Sequence, residues 1–248
     1  MVEWVQQQGE MKIEQLRDRF NVSEVTLRRD LEILESQNLI RRIRGGAVPN
    51  TTPPLETLFQ VKLESCTEQK REIALAAASM VEDGQVVMLS AGTTTTYIAR
   101  ELIRKKELTI VTTAVNIGAE LAGYDHITLV MVGGIVRKGS YASVGHLADE
   151  TLSTMNADFA FVGADGVDIQ VGFTTPNLME GRTDSMMLRA ASKGIIVADS
   201  SKFGKVAFSP ILRIQDPSML ITDRLASPDY VRQLRDAGCR VFIAGESQ

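Results

Sequence analysis

Two kinds of hydrophobic spacing follow one another along the chain. In the first fifty residues, apolar side chains recur at helical intervals, as Leu27, Leu31 and Leu34 do. From residue 85 onward, short β-branched runs alternate with helical stretches. Continuous apolar runs are typical of buried parallel strands, and the helices between them would cover both faces of the sheet. The pattern therefore predicts a small helical unit followed by a larger α/β unit.

The larger unit is predicted to hold a mostly parallel sheet. Its strand-like runs are residues 85–90, 108–113, 127–132, 159–164, 194–199, 218–223 and 240–244. Its helical stretches lie near residues 68–81, 95–105, 115–122, 146–155, 180–192 and 228–237. Pro49 to Pro54 read PNTTPP, which suits neither a helix nor a sheet. We therefore predict a first domain at residues 1–48, a linker at 49–66 and a second domain at 67–248.

The first unit carries the signals of a helix-turn-helix. Residues 13–20 have apolar positions at helical spacing, and Asn21 with Val22 then supplies a tight turn. Ser23 is a favourable N-cap for the next helix, because its hydroxyl can accept a hydrogen bond from a backbone N–H of the first turn. Residues 38–48, NLIRRIRGGAV, are typical of a short hairpin, the wing. We therefore predict a winged helix-turn-helix.

The polar face of the second helix and the arginines of the wing are the candidate DNA contacts. An arginine in the major groove can bond guanine at two positions. The first fifty residues hold eight basic and eight acidic side chains, so a basic surface there is local, and the whole chain has a net charge of −4. The alternative is a solvated helix pair whose arginines serve solubility. The predicted DNA-binding residues are Ser23, Thr26, Arg28, Arg29, Arg42 and Arg44.

The strongest local signal in the larger unit is VVMLSAGTTTTYIARELI, residues 86–103. A strand, a glycine turn and a helix start follow one another there, and the backbone N–H groups of a helix start favour an anion such as phosphate. The alternative is that the threonines are only caps. Further loops follow later strands, and ligands of open α/β sheets bind at the carboxyl ends of strands, although a structural role is the alternative for each loop residue. The predicted effector-binding residues are Ser90, Gly92, Thr93, Thr94, Thr95, Gly133, Gly134, Arg137, Asp165, Glu180 and Lys202.

These motifs resemble a known family. The run VSEVTLRRDLEILESQNLIRRIRGGAV is similar to the signature of DeoR-type bacterial repressors, and GTTT, GG-x-x-R, G-x-DG-x-D and ADSSKFG follow in family order. The resemblance implies a sensor domain similar to sugar-phosphate isomerases, with a phosphorylated sugar or polyol as effector. Ser90 stands where the family usually has an aspartate. The first helix would begin at Met1 and be about two turns long, shorter than in the family.

The sequence thus predicts a repressor of a carbohydrate-utilisation operon, with operator DNA and a phosphorylated sugar or polyol as partners. The alternative is an isomerase or deaminase with an appended DNA-binding module. We expect no cofactor, no metal site and no membrane span, since the histidines His126 and His146 form no cluster and no apolar run reaches roughly 18 residues. Cys66 and Cys239 are far apart, which favours the reducing cytoplasm. Reading an operator also calls for a homodimer or homotetramer.

Overall fold

The chain forms two compact units, divided between Leu58 and Phe59. The computed structural model describes residues 1, 4–5, 9–36, 40–43, 45–49 and 59–245. Most of the predicted linker, residues 50–58, lies outside these ranges, as does Arg44. The second unit begins at Phe59, before the predicted end of the linker at residue 66, because residues 59–64 form a helix of that unit. Phe59 begins that helix and is buried, which a solvated linker residue would not be.

The first unit has the predicted winged helix-turn-helix fold. Its elements are β1 (Met11–Lys12), α1 (Ile13–Phe20), α2 (Glu24–Ser36), β2 (Ile40–Ile43) and β3 (Gly46–Pro49). Strands β2 and β3 pair antiparallel as the wing, and β1 adds a short third strand beside β3. Leu27 and Leu31 are fully buried against Leu16, and Leu34 is partly buried. The predicted leucine stripe therefore holds α2, the recognition helix, against α1 and the wing.

The second unit is built on a seven-stranded sheet in which every neighbouring pair is parallel. The strand order is β15-β14-β12-β9-β4-β5-β6. These strands are β4 (Val86–Leu89), β5 (Leu108–Thr112), β6 (Ile127–Met131), β9 (Ala157–Gly163), β12 (Ala191–Val197), β14 (Met219–Thr222) and β15 (Val241–Ile243). All seven apolar runs singled out from the sequence are strands of this sheet, so the predicted fold class is confirmed.

Helices cover both faces of the sheet. Alternate residues of β9 show why, because Phe159 and Phe161 pack into one core and Ala160 and Val162 into the other. The first core is covered by α4 (Thr67–Ser79), α5 (Thr93–Leu102) and α6 (Val115–Leu121). The second is covered by α7 (His146–Ser153), α8 (Leu178–Ala190) and α9 (Pro228–Asp236). The helix of residues 59–64 is α3 (Phe59–Glu64).

Two small antiparallel sheets were not predicted. One is the hairpin of β7 (Ile135–Val136) and β8 (Ser143–Val144). The other joins β10 (Gly166–Asp168), β11 (Gly172–Thr175) and β13 (Ser209–Leu212). Strands of two to four residues are too short to show a period in the sequence. Within the ranges given above, no helix combines the length and the apolar character that crossing a bilayer requires.

The leucine stripe of the recognition helix makes a testable contribution to stability. We expect Leu31→Ala to lower the free energy of unfolding of the first unit by about 2–5 kcal/mol, because it leaves a cavity at a fully buried site. The matched control is Ile33→Ala on the same helix, where the side chain is 47% exposed. Hydrogen exchange of residues 13–36 measures both variants. Equal losses of protection in the two would contradict the observed packing.

Candidate nucleic-acid interface and effector site

The exposed face of the recognition helix carries three of the predicted DNA contacts. Thr26, Arg28 and Arg29 are all exposed. The Arg28 guanidinium forms an ion pair with Glu24, one turn earlier, at 2.7 Å. The Arg29 side chain makes no hydrogen bond or ion pair with any residue in the described ranges. Because exposed ion pairs contribute at most about 1 kcal/mol, the pair with Glu24 leaves Arg28 able to exchange partners.

Ser23 has the capping role that its position suggests. Its Oγ accepts a hydrogen bond from the backbone N–H of Thr26 at 3.2 Å, and the two hydroxyls lie 2.8 Å apart. Asn21 precedes it with a φ of 49°, which makes the sharp turn between the two helices. The Ser23 hydroxyl therefore caps the recognition helix. Only its remaining hydrogen-bonding capacity would be available to DNA.

The wing arginine Arg42 is folded back onto the recognition helix. Its Nη1 lies 2.8 Å from Glu32 and its Nε 3.0 Å from Glu35. The backbone N–H of Arg42 also donates to Glu35 at 2.8 Å. The hydrogen bond with Glu32 is the main cause that raises the pKa of Arg42 above its ordinary value. Arg42 is thus paired with two glutamates in this structure, its contact with DNA stays a prediction, and Arg44 lies outside the described residues.

The sequence reasoning missed Val25. This side chain is 80% exposed beside Thr26, in the first turn of the recognition helix. A large apolar side chain gains nothing from that exposure, and an apolar contact can read the methyl group of thymine in the major groove. The sequence signal that could have found it is an apolar residue of this helix that does not belong to the leucine stripe.

The predicted effector residues meet at the carboxyl edge of the parallel sheet. Strand β9 lies between β4 and β12, so the loops that follow these three strands are neighbours. The loop after β4 leads into α5, the loop after β9 carries Asp165, and the loop after β12 carries Lys202. Residues that are more than a hundred positions apart in sequence are thereby brought together.

Within the threonine run only Thr93 is partly exposed, since Thr94, at 7% exposure, Thr95 and Thr96 are buried. Ser90 and Thr95 have no exposed surface. The Ser90 Oγ accepts from the N–H of Gly163, and the Thr95 hydroxyl donates to the carbonyls of Ser90 and Gly92. These two side chains join strand ends and close the turn, in contrast to the predicted ligand contacts.

The first two threonines of the run are arranged differently. The structure shows no hydrogen bond from the hydroxyl of Thr93 or Thr94 to any other described residue. Gly92 immediately precedes them as the N-cap residue of α5. The start of α5 therefore offers two unused hydroxyls beside the positive end of a helix dipole.

Two lysines surround Asp165. The Nζ atom of Lys62 lies 2.6 Å from its Oδ1, and the Nζ atom of Lys202 lies 3.8 Å from the same oxygen. All three side chains are about a quarter exposed. Lys202 was predicted from its small-residue loop. Lys62 was not, since the sequence placed it in the linker and no motif marked it.

Glu180 is the second carboxylate of the site. Asn177 caps α8 by accepting the backbone N–H groups of Met179 and Glu180, which fixes the start of that helix. The Glu180 carboxylate then accepts from Arg137 at 2.5 Å and from the Ser140 hydroxyl. The structure thus joins the predicted Arg137 and Glu180.

The glycines before β7 have different surroundings. A Cβ atom at Gly134 would lie 2.6 Å from the carbonyl oxygen of Val144, whereas one at Gly133 would meet nothing within 4 Å. Gly134 therefore permits the close pairing of β7 with β8, which is a structural reason for a glycine there. Gly133 is exposed, so a ligand could approach its backbone, and its predicted contact with the effector stays a prediction.

A buried acid, Asp184, lies one turn beyond Glu180 on α8. Burial raises its pKa well above the ordinary value, and the charges of Glu180 and Asp165 raise the pKa further. Sequence reasoning missed this residue because nothing in the local pattern shows which side of α8 is covered.

Comparison with known proteins identifies the family. A model of the DeoR-like helix-turn-helix domain matches residues 1–52, and a model of the DeoR C terminal sensor domain matches residues 65–224. The chain belongs to the DeoR family. The resemblance noted in the sequence is confirmed, and the chain is a DNA-binding transcriptional regulator rather than an enzyme.

The similarity to individual regulators extends over nearly the whole chain. The HTH-type transcriptional regulator GlpR of Haloferax volcanii is 34% identical over 97% of this chain and 94% of its own length. The HTH-type transcriptional repressor GlcR of Bacillus subtilis is 29% identical over 100% of this chain and 95% of its own. Among solved structures, ribose 5-phosphate isomerase A from Methanocaldococcus jannaschii matches 56% of this chain and 55% of its own, with a TM-score of 0.41 and 22% identity.

The buried acid of this regulator generates a pH prediction. In the unfolded chain Asp184 ionises near pH 3.8, whereas the folded chain retains the proton to higher pH. Stability is therefore lost as the pH rises from the unfolded pKa to the folded one. We expect Asp184→Asn to remove this loss, so its gain in Tm is larger at pH 8 than at pH 4.5. The control is the exposed Asp229→Asn, and a gain that is the same at both pH values would contradict the assignment.

Proposed function

We propose that this DeoR-family regulator represses a carbohydrate-utilisation operon and is controlled by a phosphorylated sugar or polyol. The observation that carries the proposal is the charge arrangement at the carboxyl edge of the sheet. A helix start with two unused hydroxyls, two lysines and two carboxylates converge there. Such a set suits a ligand with a phosphate at one end and hydroxyl groups at the other.

The phosphate would lie at the start of α5. Backbone N–H groups and the hydroxyls of Thr93 and Thr94 would donate to it, and Lys202 would supply charge. The carboxylates of Asp165 and Glu180 would then accept from the hydroxyl groups of the ligand. Ser90 and Thr95 support this arrangement from beneath, because their side chains hold the turn that precedes α5.

Catalysis of isomerisation was the alternative proposed from the sequence. An isomerase needs a carboxylate that is available as a base. Here Asp165 is paired with two lysines, and Glu180 is held by Arg137 and Ser140. Ion pairs of this kind favour the binding of a ligand over removal of its protons, in agreement with family membership.

Operator DNA would be read by the first unit. The recognition helix would enter the major groove with Thr26, Arg28 and Arg29 toward the bases, and Val25 would contact a thymine methyl group. Arg42 and Arg44 would serve the phosphates, Arg42 after exchange of its glutamate partners. One such helix covers few base pairs, so we propose that two or four copies of the chain act together on paired half-sites.

The recognition helix can be tested with DNA enriched from a random library by the unmodified protein. We expect Arg29→Ala to weaken binding to this DNA by about 1–3 kcal/mol, because one bidentate contact with guanine is lost. Gel-shift titration at fixed salt concentration measures the effect. Arg232→Ala in the second unit, an exposed arginine paired with Asp229, is the control and should bind as the parent does. Unchanged binding by Arg29→Ala would remove this arginine from the interface.

The phosphate site can be tested by thermal unfolding with hexose, hexitol and amino-sugar phosphates beside the free sugars. Ligand at about 100 times its Kd stabilises the folded chain by about 2.7 kcal/mol. For a chain of this size we expect a shift of roughly 2–4 °C per kcal/mol. Thr94→Val keeps the shape of the side chain and removes its hydroxyl, and most of the shift should disappear.

Thr109→Val serves as the control for that experiment, since Thr109 lies on β5 at the opposite end of its strand from the ligand edge. It should retain the full shift. An equal response to free sugars and to their phosphates would exclude the phosphate site.

A further inference from the structure

Helix α3 (Phe59–Glu64) belongs to neither of the two family models. The models match residues 1–52 and 65–224, and α3 lies between them. It is the first element of the second unit, directly after residues 50–58, which connect it in sequence to the DNA-binding unit. Its contacts therefore bear on how the two functions are connected.

Besides the ion pair of Lys62 with Asp165, three contacts described here attach α3 to the rest of the second unit. The buried Phe59 ring meets Tyr141 edge-on at 5.2 Å between ring centres. The Tyr97 hydroxyl, on α5, lies 3.5 Å from the carbonyl oxygen of Leu63. The ammonium group of Lys70, on α4, donates to the carbonyls of Lys62 and Ser65.

The contact through Lys70 is a buried one. This lysine is 2% exposed, and burial lowers its pKa while the charge of Asp199 opposes that shift. A buried ammonium group needs hydrogen-bond acceptors. The carbonyls of Lys62, in α3, and of Ser65, directly after it, supply two of them. The position of α3 is therefore tied to the packing of the second unit and is not that of a solvated linker.

Two of the three contacts lead to the effector site. Tyr97 is on the helix whose first turn carries Thr93 and Thr94. Tyr141 follows Ser140 directly in sequence, and Ser140 donates to Glu180. In addition, α3 sends its own Lys62 side chain to Asp165 at 2.6 Å, closer than the 3.8 Å of Lys202.

We propose that Lys62 is an effector-site residue, and that α3 transmits occupancy of the site to the DNA-binding unit. This inference rests on the proposed phosphate site. A phosphate group at the start of α5 competes with Asp165 for the Lys62 ammonium, and Lys202, 3.8 Å from the same Asp165 oxygen, supplies positive charge to both groups. Because Lys62 is on the segment that leads to the linker, the exchange changes the position of α3.

Transmission requires that the ligand bind one arrangement of α3 better than the other. A charge-assisted hydrogen bond between Lys62 and phosphate supplies that difference, since it forms only after the lysine leaves Asp165. By linkage, DNA that favours the ligand-free position of α3 then weakens ligand binding by the same factor. The proposed device needs no contact between the effector and the DNA-binding unit.

Hydrogen exchange of the full chain with inorganic phosphate as the probe tests this inference. In the unmodified protein, phosphate should change the exchange of residues 59–65. Lys62→Met retains most of the aliphatic stem and removes the charge, so phosphate affinity should fall about tenfold and the change at residues 59–65 should vanish. Lys62→Arg retains a cation and should restore part of both. Lys106→Met, just before β5 at the opposite edge of the sheet, should behave as the parent does.

The outcomes separate this inference from the proposed function. If phosphate changes the exchange of α3 equally in the parent and in Lys62→Met, Lys62 has no such role and the inference is overturned, while the phosphate site stands. If phosphate and sugar phosphates fail to bind the parent, the proposed site and this inference are both overturned. If Lys62→Met binds phosphate more weakly, and its DNA binding no longer responds to phosphate, the inference is supported.

Discussion

The position of β9 between β4 and β12 is the constraint on which the candidate effector site depends. Parallel pairing sends the carboxyl ends of these three strands to the same edge. The hydrogen bond from the N–H of Gly163 to Ser90 then fixes two of those ends to each other beneath the site. Asp165, Lys202 and the start of α5 meet only because of this order. The aromatic side of β9 packs into one core and its small apolar side into the other, so both faces of the strand that sets the geometry are covered.

The repeating features of this architecture could be predicted from the sequence. Seven apolar runs became the seven strands, and Leu27 and Leu31 are the buried stripe of the recognition helix, because burial imposes a period that the sequence displays. Side-chain direction within a loop or a first helical turn has no such period. Thr94 and Thr95 are neighbours of the same type, yet only Thr95 bonds back to the turn. Lys62 lies on a six-residue helix, too short for a hydrophobic pattern, whose place is set by Phe59 and by a lysine eight residues further on.

Acidic side chains near the effector site decide which charges the site can hold. Asp165 and Glu180 have cationic partners, whereas burial and the charges of these two residues raise the pKa of Asp184. A third ionised acid would repel a phosphate group from the same edge of the sheet. The raised pKa of Asp184 reduces this repulsion, in a chain whose net charge is −4. The start of α5 adds its own partial positive charge.

The candidate DNA interface and the candidate effector site are both proposed to bind phosphate groups, in a chain whose net charge is −4. In both candidate sites, carboxylates of the chain pair with the cations. Glu24 occupies Arg28, Glu32 and Glu35 occupy Arg42, and Asp165 occupies Lys62. The exposed pairs of Arg28 and Arg42 contribute about 0–1 kcal/mol each, less than the roughly 1.5–3 kcal/mol of a hydrogen bond to a charged group. In the proposed mechanism, a phosphate group would replace the carboxylate partner, and the exchange would move the segment that carries the cation. If the cations of such a site were unpaired, a phosphate group would bind more tightly, because no ion pair would have to break. The protein would then lack the paired arrangement from which ligand binding could shift it to a second one.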